Sequence, residues 1–480
     1  MCIGMIFSAN GQTSVWDGSH STWTNGAGTQ ESPYLIENAA QLAHMAYIVN
    51  NGIGANNHTV GANTYWKLMT DIDLNGSETF QWTPIGYYNL DYNYYSFGGN
   101  FDGNNHTVAN LYINTTTLQA IGLFGSTNGA TITNLGITGN SSVTIGSAST
   151  IPYAGGIAGY ANNTGFDNCY NTGSVSSSSY YYSYSYSGGI VGYATGNITI
   201  NNCYNTGSVS SPSSSYYYSS YSYSGGIVGY AVVGNIIVNN CYNTGSVSSS
   251  SSSSSYLSYS YSGGIVGCGG NSAINNCYNM GSVSSTASYS PYSGGIVGYA
   301  IITSVNNCYN TGSISSNASS HSGGIVGIRD RGAVNYSYYL VTCGGGNTYG
   351  GEAKTEELMK DAGFVTLLNQ DLATPAWKMD CTTPINDGFP ILLWQTCESS
   401  DAIETIENQS INIYPNPAKD IITIASSELQ NETYTVFSIS GQALMHGKLQ
   451  NETTAINVSA LASGVYYLKV ANKTAKFIKN

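Results

Sequence analysis

The 480 residues carry 25 Asp+Glu against 12 Lys+Arg, a formal net charge of −13, and only 8% of the chain is charged, where an ordinary globular protein has about a quarter. Gly at 58 and Tyr at 42, with 10 Pro and a 41% hydrophobic fraction, exclude both a collagen-like chain and a plain disordered polymer. An acidic balance without a basic cluster excludes a nucleic-acid partner, because phosphate binding draws on Lys and Arg, and no apolar run reaches the roughly eighteen residues of a transmembrane segment.

In chain order, Met1–Phe7 is apolar and is followed by the small residues Ser8, Ala9 and Asn10. Residues 1–10 therefore read as the remnant of a secretory signal peptide without its basic front end, with a first strand as the alternative. Residues 11–114 read as an N-terminal cap and opening coils. Within them, Glu37–Asn50 carries Leu42, Ala46 and Val49 at helical spacing and stops at Asn51-Gly52. Trp66–Leu74 and Phe101–Ile113 follow as the first coils. Asp71-Ile-Asp-Leu-Asn-Gly76 copies the opening of a calcium loop, but its twelfth position is Trp82 rather than Glu. Alternation of Ile72 with Leu74 suits a strand, so no metal is assigned there; Asp102-Gly-Asn-Asn105 reads as a turn.

Residues 115–340 are repetitive. Gly-Gly-Ile-(Val/Ala)-Gly begins at Gly155, Gly188, Gly225, Gly263, Gly294 and Gly323, and Asn-Cys-Tyr-Asn places Cys169, Cys203, Cys241, Cys277 and Cys308, each followed by Gly-Ser-(Val/Ile)-Ser. A weaker copy at Ile121–Gly125 and Ile132–Leu135 makes seven units. Phe166, Ile200, Val238, Ile274 and Val305 stand three before the Cys; Val175, Val209, Val247, Val283 and Ile314 stand six after it. The even gap fits one strand face, whereas the odd gap demands a corner at Asn-Asn pairs such as Asn201–Asn202. The Gly-rich string reads as a short buried strand. A unit this small cannot bury its apolar face alone, so stacked units build one core, at about 4.8 Å per coil. The expected fold is all-β: a parallel β-solenoid, or β-helix, with helical end caps, then a second small domain.

Ser176–Ser187, Ser210–Ser224 and Ser248–Ser262 are almost wholly Ser and Tyr and read as loops on one side of the stack. Alternation in Tyr182-Ser-Tyr184-Ser-Tyr186 puts rings on one face, and Tyr221, Tyr223, Tyr259 and Tyr261 extend the rows across coils. Such tyrosines suit sugar faces or protein partners; alternatively they stack on one another as a structural ladder. The Cys slot holds Leu135 in the first unit and Ser337 in the last, so it reads as a packing position rather than a metal site, which needs paired ligands at short spacing.

Residues 341–397 read as a C-terminal cap and closing coil. Thr355 is placed to N-cap a helix holding Glu356, Glu357, Leu358, Met359 and Val365, and Trp377–Trp394 to close the stack. Cys343, Cys381 and Cys397 lie outside the ladder; an exported protein can bridge two of them, and the sequence leaves open which. Residues 398–410 turn acidic and mark a linker. Residues 411–480 hold seven short alternating runs between Pro, Asn or Gly turns, the pattern of a small Ig-like β-sandwich.

Ile413-Tyr-Pro415-Asn416-Pro417-Ala-Lys-Asp420, Tyr434–Gly441, Leu461–Lys469 with Gly464 and Tyr466, and the terminal Lys476-Phe-Ile-Lys479 closely resemble the C-terminal sorting domain of type IX secretion cargo. The resemblance implies the type IX secretion machinery as a partner and passage across the outer membrane of a Gram-negative bacterium, the cargo being released or attached at the cell surface. Residues 155–328 resemble the GLUG repeats of bacterial surface and secreted proteins, and Phe97–His106 resembles their usual lead-in. That resemblance marks architecture and location, since such repeats accompany adhesive regions and some peptidases alike.

Glycoside cleavage needs two carboxylates, or a base and a cation, across the substrate. Residues 155–328 hold one charged side chain, Asp167, and one histidine, His321, and the chain has no His-Glu-x-x-His. The expectation is a non-catalytic, cofactor-free secreted or surface protein of adhesive or structural duty, meeting surface glycans or host or bacterial surface proteins. The alternative is a carbohydrate-binding or polysaccharide-degrading protein with its site in the N-terminal coils, where Asp71, Asp73, Asp91 and Asp102 gather. A third reading makes the solenoid a spacer alone.

Overall fold

A computed structural model describes the chain except residues 1–12, 89–94, 148–150, 181–183, 255, 318–320, 346–348, 398–411, 426–431, 439–441, 452 and 471–472. The signal remnant, the linker, Asp91, Tyr182 and Gly441 thus lie outside the described residues. The chain divides into two compact units, Met1–Cys397 and Glu398–Asn480, taken separately below.

The first unit is a parallel solenoid whose described residues form four stacked sheets of 11, 7, 16 and 7 strands. One coil shows the pattern: Tyr184–Gly188, Val191–Asn201, Tyr204–Asn205 and Val209–Ser215 each pair with the equivalent strand of the next coil. They are called here the tyrosine, long, short and serine strands, and each kind builds one sheet. Asn168, Asn202, Asn240, Asn276 and Asn307 turn the chain at φ of 52–54°, the left-handed conformation Asn tolerates best after Gly. The next residue, the repeated Cys, then points inward. Phe166, Ile200, Val238, Ile274 and Val305 on one side of the corner, and Val175, Val209, Val247, Val283 and Ile314 on the other, are all buried.

The Gly-rich string is a corner rather than a strand. Gly188 ends the tyrosine strand, Gly189 and Ile190 make the bend, and Val191 opens the long strand. Backbone crowding is the reason: a Cβ on Gly188 would lie 2.0 Å from the Val191 carbonyl oxygen, and one on Gly189 2.1 Å from that of Gly226 in the next coil.

The Ser/Tyr tracts are strands, which corrects the loop assignment. Val209–Ser215 and Ser220–Gly225 face each other across a gap filled by serines, and only 216–219 turn between them. Ser211 Oγ lies 2.6 Å from Ser224 Oγ, and Ser213 Oγ 2.6 Å from Ser220 Oγ. In the next coil Ser249 Oγ lies 2.6 Å from Ser260 Oγ. The Ser187 hydroxyl donates to the Ser210 carbonyl at 2.6 Å and Ser224 to Ser248 at 2.6 Å. A buried polar side chain is tolerated when it is hydrogen-bonded, and Ser is small enough for two sheets to meet through it. The serine and tyrosine sheets thus form an arm with a polar core.

Inside the short-strand sheet runs a buried asparagine ladder. Nδ2 of Asn171, Asn205, Asn243 and Asn279 each donates at 2.8 Å to Oδ1 of the next, ending at Asn310. Each Nδ2 also donates to the Gly carbonyl two residues on.

Helix α1 (Ala39–Asn50) is capped by Asn38, whose Oδ1 accepts from Gln41 N at 3.0 Å, and ends at Asn51. Its Leu42, Met45, Ala46 and Val49 join the solenoid core. At the other end, Glu352–Lys354 pairs with Tyr338–Leu340, and Tyr339 occupies the asparagine slot opposite Asn310. The expected single helix after Thr355 is two, α2 (Glu356–Met359) and α3 (Ala362–Leu368). Asp361 separates them because its carboxylate caps the second, accepting from Gly363 N at 2.7 Å. Leu358, read as interior, is 56% exposed.

Trp377–Trp394 does not sit on the end of the stack. It runs along its side as a strap over the stacked rings of Tyr204, Tyr242, Tyr278 and Tyr309. The stacked rings on the flank give the tryptophans an aromatic surface to pack on, and Tyr278, Tyr309 and Trp377 are buried together there. A disulfide joins Cys381 to Cys397, while Cys343 is a buried free thiol.

Among its described residues the second unit has seven antiparallel strands in sheets of three and four, around Ile422, Ile424, Val436, Ile456, Leu468, Val470 and Phe477. Asn416 clasps the last strand: its Oδ1 accepts from Ile478 N at 2.9 Å and its Nδ2 donates to the Lys476 carbonyl at 3.1 Å. Pro415 and Pro417 flank it, each after a cis peptide. The Tyr466 hydroxyl donates to the Ala462 carbonyl at 2.8 Å, and its ring stacks on Phe477. Gly464 opens the strand that pairs with Lys473–Lys479, in which Lys476 is exposed and Lys479 buried.

Candidate binding surface

The tyrosine strands carry two rows on the face away from the serines. Tyr184, Tyr221 and Tyr259 form an outer row with ring centroids 4.8 and 5.0 Å apart and planes within 7° of parallel. Tyr186, Tyr223 and Tyr261 form an inner row at 5.1 and 5.0 Å. The outer rings are half-buried, whereas the inner ones are only 6–7% exposed.

A third row covers the inner one, and the sequence reading missed it. Tyr160, Tyr193, Tyr230 and Tyr299 follow the Gly-rich corner as Gly-Tyr in their units, and alternation places them on the outer face of the long strands. Tyr186 and Tyr223 meet Tyr230 edge to face, at 4.9 Å and 66° and at 5.0 Å and 75°, whereas Tyr261 stacks on Tyr299 at 5.3 Å and 18°. Arm and body therefore meet in a crook, with Tyr184, Tyr221 and Tyr259 on one side and Tyr193 and Tyr230 on the other. Such edge-to-face and stacked pairs contribute about 0.5–1.5 kcal/mol each beyond area burial. The stacking alternative for these rings is thus present in the structure, and it leaves the outer and body-side rings half-exposed. Burial first, then neighbouring phenols, pushes the pKa of Tyr184, Tyr186 and Tyr193 above the ordinary tyrosine range, and burial, then the Cys268 thiol, does the same for Tyr223. The Tyr184, Tyr193, Tyr221, Tyr230 and Tyr259 hydroxyls make no hydrogen bond to another described residue.

Of the four N-terminal aspartates, the three described ones, Asp71, Asp73 and Asp102, accept hydrogen bonds. Asp71 Oδ1 accepts from Thr107 N at 2.8 Å, Asp73 Oδ1 from Asn75 N at 2.7 Å and Asn110 Nδ2 at 2.8 Å, and Asp102 Oδ1 from Asn104 N at 2.8 Å and Asn134 Nδ2 at 2.9 Å. These acids bind their own turns and the neighbouring coil. A cleft of about 270 Å³ beside α1 is lined by Trp16, His20, Tyr47, Asn50 and Trp82 and by no carboxylate. A second, of about 330 Å³, holds one, Asp102, whose Oδ2 lies 3.6 Å from Lys67 Nζ. The Cys ladder is wholly buried, and burial pushes the thiols of Cys169, Cys203, Cys241 and Cys308 well up. Asp167 Oδ1 accepts from Asn202 Nδ2 of the next coil at 3.0 Å.

Comparison with known proteins agrees with this architecture. Residues 183–210 and 289–315 match the GLUG motif, and residues 412–480 match the secretion system C-terminal sorting domain. A segment of 132 residues is 36% identical to a "Putative Gly-rich membrane protein" of Evansella cellulosilytica, covering 26% of this chain and 13% of that protein. Another of 156 residues is 31% identical to the halomucin of Haloquadratum walsbyi, covering 31% of this chain and 2% of that one. The chain thus spans a small part of the curated relatives it matches. Among solved structures, a "putative immunoglobulin A1 protease" from Bacteroides ovatus aligns over 78% of this chain and 96% of its own, at 22% identity and a TM-score of 0.48. No activity passes to this chain at that likeness. The sorting domain marks the chain as secreted or attached at the cell surface. No helix among the described residues is long and apolar enough to cross a membrane.

Proposed function

We propose that this chain, a secreted surface repeat protein with GLUG motifs and a type IX sorting domain, works by adhesion and performs no chemistry itself. One observation carries the reading: the surface that repeats from coil to coil is a set of half-exposed tyrosine rows on a stack that holds a single charged side chain, Asp167, between residues 155 and 328. Rigid tyrosines supply apolar edge and hydroxyl together at low entropic cost, and repetition multiplies weak contacts. The competing reading, a polysaccharide-degrading site in the N-terminal coils, is disfavoured because Asp71, Asp73 and Asp102 are each spent on backbone or ladder hydrogen bonds.

The test uses the full chain coated on beads and presented to surface glycans and to host or bacterial surface proteins, with a reducing-sugar assay on the same glycans. Adhesion that falls when Tyr184, Tyr221 and Tyr259 are changed together to Ser, without sugar release, supports the proposal. Sugar release overturns it, and adhesion indifferent to the triple change makes the stack a spacer.

A further inference from the structure

We propose that the crook between arm and body binds a linear, uncharged polysaccharide lying parallel to the solenoid axis, with one pyranose ring per coil. The inference rests on the adhesive reading and gives it a ligand class, an orientation and a second set of residues.

The periodicity selects the polymer. Along the crook the rings recur every 4.8–5.0 Å in the outer row and 5.2 Å between Tyr193 and Tyr230. Because the rings are stacked face to face, they present edges and phenolic hydroxyls outward, not flat faces. A ligand therefore meets a ladder of hydroxyls, two per coil where both rows are present. An extended peptide repeats its same-side groups about every 6.6–6.8 Å and falls out of step within two or three coils. A linear polysaccharide advances about one coil per ring and offers hydroxyls or ring oxygens at each step. Sugar hydroxyls both donate and accept, as do phenols, so each rung is satisfied in either sense.

Charge selects within the polysaccharides. The rows include no Lys or Arg to pair with a uronate or sulfate, and the chain's net charge of −13 opposes a polyanion. A phenol is protonated at neutral pH, so each hydroxyl of the rows can donate as well as accept. The free hydroxyls of Tyr184, Tyr193, Tyr221, Tyr230 and Tyr259 are the groups that would be satisfied by the ligand. The body-side row is interrupted once, at Cys268, which pairs in register with Tyr230 and Tyr299; the paired rungs are centred on Tyr193 and Tyr230.

The experiment is titration calorimetry of the full chain with β-1,4-linked gluco- and manno-oligosaccharides of about two to six rings and with oligogalacturonates of matched length. A variant carrying Tyr184→Phe, Tyr193→Phe, Tyr221→Phe and Tyr230→Phe keeps every ring and removes only the hydroxyls. Affinity should rise with each ring up to about four, and the Phe variant should bind about tenfold more weakly with an unchanged melting temperature. Oligogalacturonates should not compete. Affinity independent of length, equal binding of oligogalacturonates, or a Phe variant that binds normally overturns the inference. If neither neutral series binds while beads still adhere through Tyr184, Tyr221 and Tyr259, the inference falls and the adhesive reading stands. If the oligosaccharides bind in step with the rungs and the beads adhere to nothing, the reverse holds.

Discussion

At the scale of single residues, the asparagine ladder and the serine core make opposite demands on the same kind of chemistry. Asn243 donates to Asn279 and to the Gly245 carbonyl and accepts from Asn205. Asn243→Leu keeps the volume but orphans buried partners on both sides, so a loss of about 2–4 kcal/mol is expected in denaturant unfolding. A loss below about 0.5 kcal/mol would mean that the ladder contributes little beyond filling space. In the arm, Ser213 Oγ lies within 3 Å of both Ser220 and Ser222, whereas Ser251 Oγ is buried without a partner. Ser213→Ala should cost about 1 kcal/mol, and Ser251→Ala should be neutral or stabilising; thermal melts that rank them the other way contradict the polar-core description. Alkali addresses the tyrosines. Burial, then the neighbouring Tyr170 phenol, raises the pKa of Tyr204 to about 12, against about 10 in the unfolded chain. The folded state holds this proton more tightly, so its contribution to stability is full below about pH 10 and is lost on rising towards pH 12. Spectrophotometric titration should show a tyrosine class ionising only in that upper window, together with unfolding.

At the scale of elements, the strap is the part whose position the sequence concealed. Trp377 and Trp394 were plainly large apolar residues, but docking on the flank is decided by the Tyr204–Tyr309 row that awaits them, a tertiary match with no local signature. Trp394 stacks near Tyr204 and Tyr242 and donates from Nε1 to the Asn240 carbonyl at 3.0 Å. The Cys381–Cys397 disulfide closes a loop with a sequence separation of 16 that carries this tryptophan, a constraint of about 3 kcal/mol on loop-closure grounds. Cys381→Ala should therefore loosen the strap alone: tryptophan emission shifts red at a temperature where far-UV circular dichroism is unchanged. A single cooperative loss of both signals would show that the strap and the coils melt as one body. The arm was misread for a different reason. Ser has low strand propensity and alternation of Ser with Ser carries no hydropathy signal, yet propensity yields to packing once two sheets bond through their hydroxyls. The Tyr rows were legible because Tyr alternates with Ser; the third row, hidden in Gly-Tyr after the corner, was signalled only by its recurrence at Tyr160, Tyr193, Tyr230 and Tyr299.

At the scale of the whole solenoid, what made the fold readable is that each corner has its own residue. Left-handed Asn at one bend, paired Gly at another and buried Cys after the first recur through the five coils that carry Cys169, Cys203, Cys241, Cys277 and Cys308, so spacing alone set the register. The seven strands of the terminal sandwich followed from Pro, Asn and Gly punctuation in the same way. The tyrosine rows exist only if equivalent residues of successive coils are neighbours in that register. Ser210 and Ser248 are 38 positions apart in sequence but paired in register, with Ser284 the next rung. Adjacent parallel strands are about 4.8 Å apart, inside the range a disulfide spans, and alternate strands about 9.6 Å apart are outside it. Under mild oxidation, Ser210→Cys with Ser248→Cys should cross-link within one molecule, and Ser210→Cys with Ser284→Cys should not. Cross-linking of the second pair, or failure of the first, would contradict the stacked register.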